Sequence, residues 1–335
     1  MSGQFLFRKI QLGKEAVAGT AVAATSVFRG TGVPEDQLEL VYPPEHVGYA
    51  VPSTRSYIPS LLAGLELDAV PATFEQLPYI LEGGVKTVNT GAADGAGSGK
   101  IYSYDFPTTA ANTIKTFTLE GGDDQQAEEM EYSFVQKLTL AGKGQEAVTM
   151  QANWLGRQMS LSTFTGALTP PTVVEALFGN AKLYIDATAG TIGTTLKSNT
   201  LLEFTLELVT GWMPRWTAAG ALYFDRAVWT GTQMDAKLRI RFEHDATSVA
   251  EKAAWRAQNI RLLRLNVDGP TLTTAGTTYQ KKTLRIDLAG KWNKFEKLGE
   301  DNGNDVVEGE FQGRYSVSDS LYGRVLVVNE VAVLP

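Results

Sequence analysis

Residues 129–154 read EMEYSFVQKLTLAGKGQEAVTMQANW, and this stretch decides the fold class. Its even positions carry Met130, Tyr132, Phe134, Leu138 and Leu140, while its odd positions carry Glu129, Glu131, Ser133, Lys137 and Thr139. A period of two is that of a strand with one buried and one wet face. Gly142-Lys143-Gly144 supplies a turn, after which Val148, Met150, Ala152 and Trp154 alternate with Thr149, Gln151 and Asn153. The pattern predicts a long amphipathic hairpin whose arms, about eleven residues each, span roughly 35 Å at ~3.3 Å per residue.

A second stretch repeats the device. Leu202, Phe204, Leu206 and Leu208 alternate with Glu203, Thr205 and Glu207, and a turn containing Gly211 and Pro214 is expected to lead back through Trp216, Ala218, Leu222 and Phe224. The two hairpins read either as a degenerate internal repeat or as two amphipathic ribbons that match by pattern alone. Thr169-Pro170-Pro171-Thr172 is the best seam, because a diproline breaks ladders and helices alike. It divides a first β-rich half, 1–168, from a second, 172–335.

Two short helices are predicted. Ala72-Thr73-Phe74-Glu75-Gln76-Leu77 opens the first, with Thr73 as N-cap, Gln76 as its partner, Phe74, Leu77 and Leu81 facing inward, and Gly83-Gly84 as terminator. Ser248 and Glu251 cap the second, which ends near Ala257. Two irregular segments remain. Gly91–Gly99 is the most flexible-looking part of the chain, and Val33–Pro59, with Pro34, Pro43, Pro44, Pro52 and Pro59, reads as an extended arm.

Composition narrows the function classes. The absence of cysteine removes disulfides, thiolate nucleophiles and Cys-based zinc sites, and His46 and His244 are the only histidines. A net charge of −7 argues against a protein that grips nucleic acid through phosphates. The surplus is local: residues 1–168 hold 11 basic against 18 acidic side chains, and 169–335 hold 19 of each. Met1–Lys9 shows no apolar core followed by a cleavage site, and no run approaches a membrane span, so synthesis in the cytoplasm is expected.

No catalytic constellation emerges. The phosphate-loop pattern ending at Gly99-Lys100 would need glycine at Asp94 and a hydroxyl at Ile101, and Gly13-Lys14-Glu15 lacks an upstream glycine. Asp123, Asp124, Glu128, Glu129 and Glu131 lack calcium-loop spacing, and Asp301-Asn302-Gly303-Asn304-Asp305 lacks the closing glutamate. His244 follows the strand-like Leu238, Ile240, Phe242 and resembles no nucleophile elbow. Lys237, Arg239 and Arg241, with Arg261 and Arg264, have no interleaved aromatic platform; they are expected to answer an acidic face. Neither an enzyme nor a cofactor is expected.

Several segments resemble the tail tube (major tail) proteins of bacteriophages with long non-contractile tails. They are Phe7–Glu15 followed by Ala18–Thr25, Pro43–Tyr49 with Arg55–Pro59, Ala72–Tyr79, Glu131–Trp154 with Gly156-Arg157, and Val327–Val331. The resemblance implies a mainly β fold, a tail-tube-type sandwich or barrel with long amphipathic hairpins and one or two flanking helices. It implies a virion structural protein, made in the host cytoplasm, whose rings stack into a tube through which viral DNA passes without specific binding. Partners would be further copies, the tape measure protein and the terminator and distal tail proteins, with no membrane. Family rings are sixfold; a duplicated chain would allow a trimer that imitates that symmetry.

On that basis Glu129, Glu131, Glu203 and Glu207 are expected to line an acidic lumen. Ring-to-ring contacts are expected from Pro43, Pro44, Tyr49, Arg55 and Tyr57 in the arm and from Gly95 and Gly97 in the glycine-rich loop, ordering on assembly. The alternative is a carbohydrate- or receptor-binding module presenting Trp154, Trp212 and Tyr223.

Overall fold

A computed structural model describes residues 3–335. The chain runs through β1 (Lys9–Lys14), β2 (Ser26–Phe28), β3 (Pro34–Asp36), β4 (Ala63–Pro71), α1 (Leu77–Gly84), β5 (Ala92–Ala93), β6 (Lys100–Asp105) and β7 (Phe117–Gly122). There follow β8 (Ala127–Lys143), β9 (Thr149–Gly156), β10 (Met159–Ser162), β11 (Ala181–Ala187), β12 (Leu196–Lys197), β13 (Leu201–Val209), β14 (Trp212–Arg215) and β15 (Arg226–Trp229). The last part holds β16 (Asp235–Glu243), α2 (Ala246–Arg256), β17 (Arg261–Thr271), β18 (Lys281–Phe295), β19 (Gly299–Asp301), β20 (Asn304–Gly313) and β21 (Gly323–Asn329). The protein is mainly β, and every strand pairing is antiparallel.

The hairpin expected at 130–154 is present as β8 and β9, with Leu140 opposite Met150 and Leu138 opposite Ala152. Its first arm is longer than the pattern suggested and serves two ladders. Up to Ser133, β8 pairs with β7 and β10; beyond it, β8 pairs with β9 on one edge and β13 on the other. The change of partner coincides with a left-handed backbone at Tyr132 (φ 54°) and a register shift between Val135 and Lys137. Clean alternation therefore holds only after the kink, and Glu131, Ser133 and Val135 are buried along with their neighbours.

The second hairpin is not formed. β13 is flanked by β8 and β16, with Leu206 opposite both Leu140 and Leu238, so neither edge is free for 216–224. Residues 210–234 instead leave the sheet, and β14 pairs with β15 in a ribbon of its own. Pattern alone could not separate these outcomes, because Phe224 is buried in both, here against Tyr132 and Phe134.

One polar-faced sheet thus runs β3, β4, β9, β8, β13, β16, β20. A second runs β12, β11, β17, β18, β21, β6, β5. β18 belongs to both: its first two-thirds pair with β17 and β21, and from Gly290 it pairs with β20. Gly290 is required at this corner, since a Cβ there would stand 2.1 Å from the Gln312 carbonyl. The polar-faced sheet does not close into a barrel. The main apolar core joins the layers and takes side chains from both sides of residues 169–172, including Leu65, Tyr104, Trp154, Phe204, Leu238, Ile286 and Phe311.

Both helices are shifted from expectation. α1 begins at Leu77, one turn late, because the Gln76 side chain is occupied with the backbone of Val27 and Arg29. Thr73 Oγ1 still accepts the Gln76 N–H at 3.2 Å, and Leu77 and Leu81 are buried. Gly83 and Gly84 do not follow the helix but form its last turn, where a Cβ would press within 2.8 Å of Trp154 and 3.0 Å of Val135 respectively. In α2 the cap is Asp245, whose carboxylate accepts the Ser248 N–H while the Ser248 hydroxyl accepts the Asp245 N–H. Glu251 instead points into the fold and accepts hydrogen bonds from Trp292 and Arg261.

Candidate assembly surfaces

The outer face of the polar-faced sheet is where two of the four candidate lumen carboxylates lie. Glu203 and Glu207 project from β13 between Lys137 and Lys143 on β8 and Lys237, Arg239 and Arg241 on β16. Glu207 sits 3.4 Å from Lys137 and 3.5 Å from Arg239, which also reaches Glu310 on β20 at 3.4 Å. Arg241 meets Asp301 at 3.2 Å. The face is therefore ruled in strand-wide rows of alternating sign, and the basic row on β16 finds its acidic answer within its own chain. Each exposed pair contributes at most about 1 kcal/mol; their effect is to cancel the field an all-acidic face would project.

The other two carboxylates lie elsewhere. Glu129 and Glu131 sit on the part of β8 that pairs with β7 and β10. Glu129 is half-buried and accepts from the Ser162 hydroxyl at 3.0 Å, while Glu131 is only 9% exposed and meets Gln158. Burial pushes the Glu131 carboxyl above its ordinary range, opposed by its own backbone N–H and by Gln158. The four carboxylates therefore do not share one face: Glu131 is inside, Glu207 is paired with Lys137 and Arg239, and Glu203 stands in register with Lys143 and Arg241.

The arm is exposed, as its composition suggested, and it has internal order. Val41 and Tyr57 exchange backbone hydrogen bonds at 2.9 and 3.0 Å, closing the loop at its neck. Within it Glu45 accepts from the Thr54 backbone and hydroxyl and from Arg55, which hold its carboxyl below the ordinary value. Leu38, Leu40, Tyr42, Val47, Tyr49, Val51 and Tyr57 are all exposed, as are Pro44 and Arg55, with Pro43 half-buried.

No family model matches the chain, and no curated protein matches it.

The glycine-rich loop differs from its expected flexibility. Asp94 is buried, and its carboxylate accepts the backbone N–H groups of Thr278 and Tyr279, the latter at 2.6 Å. Burial works to raise its carboxyl, and the N–H groups of Tyr279 and Thr278 outweigh that and hold it low. Gly97 lies against the Gly276 backbone, where a Cβ would come within 2.4 Å. Gly97 thus serves close backbone approach. Gly95 remains exposed and Gly97 half-exposed.

The aromatic residues of the alternative reading present no shared exposed surface. Trp154 is buried against Phe117 and does not reach solvent, which corrects its expected exposure. Trp212 packs on the cluster of Tyr132, Phe134 and Phe224, and Tyr223 is covered by Arg157. Among the described residues no group of three or more histidine or acidic side chains could hold a metal ion, and no helix is long and apolar enough to cross a membrane.

Arg157, to which the sequence assigned no role, ties the 210–234 excursion down. Its guanidinium lies over the rings of Tyr132 and Tyr223 and donates to the carbonyls of Phe224 and Asp225. Arg157→Ala is expected to cost about 2–3 kcal/mol, from two charge-assisted hydrogen bonds and the cation–π contact. It should also release the excursion before global unfolding. Limited proteolysis would show this as early cleavage between 210 and 234, and an unchanged cleavage map would refute the clamp.

Proposed function

We propose that this protein is a tail tube subunit: copies pair side by side into rings, and rings stack into a conduit for viral DNA. The observation that carries the reading is the arm. Seven large apolar side chains stand in solvent along the arm, five of them on the loop closed by the Val41–Tyr57 neck, whose own hydrogen bonds fix its shape. A monomer gains nothing from such a surface, and it is the composition of a segment that docks on another molecule. The open polar-faced sheet supports the same reading, since ring closure pairs sheet edges that would otherwise template aggregation.

In the tube, the outer face of that sheet forms the wall. Its alternating rows give DNA neither a basic track to adhere to nor a uniformly acidic barrier, and the strong hydration of closely spaced charges keeps the bore wet.

Negative-stain microscopy of the purified chain tests the proposal: tubes or rings of constant diameter are expected, and discrete monomers at every concentration would overturn it. Deleting residues 35–55 is expected to leave folded, soluble subunits with an unchanged far-ultraviolet spectrum that no longer polymerise. Tubes formed by the deletion variant would remove the arm from the assembly interface.

A further inference from the structure

We propose that the outer face of the second sheet carries an oxyanion-binding hollow built on Arg285, receiving a carboxylate or phosphate group. The hollow has a volume of about 380 Å³ and lies over β11, β17 and β18 beneath the 272–281 turn. Four cations border it: Lys182, Arg264, Lys281 and Arg285. Two are already neutralised, Lys182 by Asp268 at 2.8 Å and Arg264 by a two-pronged contact with Asp287 at 2.7 and 2.9 Å.

Arg285 is different. It is half-buried in mid-strand, and its guanidinium is held by two neutral groups, the Asn266 side-chain oxygen at 3.3 Å and the Tyr279 hydroxyl at 2.9 Å. No carboxylate reaches it or Lys281 among the described residues. A guanidinium fixed in orientation, without a counter-ion and opening into a polar hollow, is preorganised for a two-oxygen anion, because the ordering cost is met before the ligand arrives. Lys281 supplies a second, mobile charge at the rim.

Two sources can deliver such an anion. One is free phosphate or a phosphate ester. The other is a second copy of this chain, whose arm base presents Glu35, Asp36 and Glu39 exposed and without ion pairs. The hollow itself does not rest on the tube reading; only this second source does.

The test titrates inorganic phosphate, and separately a synthetic peptide of residues 34–40, into the full-length chain by calorimetry. The wild-type chain is expected to bind at least one of them, and Arg285→Gln to weaken that binding by about tenfold or more, the equivalent of one charge-assisted hydrogen bond. Lys281→Gln, exposed at the start of β18, is expected to weaken it by roughly two- to fivefold. Tighter binding of the peptide identifies another copy as the occupant, and tighter binding of phosphate identifies the free anion. No binding by the wild-type chain, or equal affinity in wild type and both variants, overturns the site whether or not tubes form.

Discussion

Glu15→Ala is expected to lower the free energy of unfolding by about 4 kcal/mol. Glu15 is 1% exposed at the end of β1, and its two oxygens serve four donors. Oε2 accepts the Gly19 N–H and the Thr116 hydroxyl, both at 2.7 Å; Oε1 accepts the Tyr132 N–H at 2.7 Å and the Thr118 hydroxyl at 3.1 Å. Truncation leaves the buried Tyr132 N–H and the part-buried Gly19 N–H without a partner, the buried one costing about 1–3 kcal/mol, and Tyr132 is the residue whose left-handed backbone lets β8 change ladders. Glu15→Gln preserves volume but turns an N–H₂ toward donors, and should recover less than half of the loss. Glu35→Ala, exposed on β3, is the control and should stay within about 0.5 kcal/mol. Guanidinium denaturation measures all three; a Glu15→Ala loss no larger than that of Glu35→Ala would mean that the carboxylate does not hold the kink.

Legibility in the sequence followed the range of the force involved. Burial on one face of a strand is local, so the alternation at Leu138–Trp154 and at Leu202–Leu208 announced itself and the mainly β class followed. Partner choice is not local. The same Leu206 that marks a strand says nothing of whether its neighbour is a hairpin return or, as found, β8 from the other side of the diproline. Capping residues were found within three positions but assigned to the wrong side, because Gln76 and Glu251 are satisfied by distant elements rather than by their own helices. The candidate surfaces divided likewise. The proline-rich arm was visible as a segment unable to form ladders, whereas the neutralisation of Glu207 by Arg239 and the anchoring of Asp94 by Tyr279 depend on contacts 32 and 185 residues apart. Acidity summed over a half-chain therefore misjudged the polar face: a face projects only the charge that neighbouring strands leave uncancelled.

Lys14→Met is expected to destabilise the protein by about 3–5 kcal/mol at about pH 7, and most of that loss should disappear in the double variant Lys14→Met/Glu82→Leu. Glu82 lies in α1 with no exposed side-chain surface, 2.9 Å from the Lys14 ammonium, in an ion pair not aligned as a hydrogen bond; its Oε1 has no hydrogen-bond partner. Burial raises its carboxyl above the ordinary carboxylate range, and Lys14 opposes the rise. Without the ammonium, an unpaired charge is left in the core. With both groups replaced by apolar ones of similar volume, the desolvation penalty vanishes along with the attraction, and the double variant should fall within about 1 kcal/mol of wild type or above it. The pH dependence fixes the sign. Because the native carboxyl holds its proton to higher pH than the unfolded one, the native state binds more protons between the two values, and stability falls as pH rises through that window. Lowering the pH from about 7 toward about 5 should therefore narrow the gap between Lys14→Met and the double variant, as Glu82 is neutralised in the fold. A gap that stays constant or widens on acidification would show that Glu82 does not carry the penalty and that Lys14 acts through packing of its aliphatic stem.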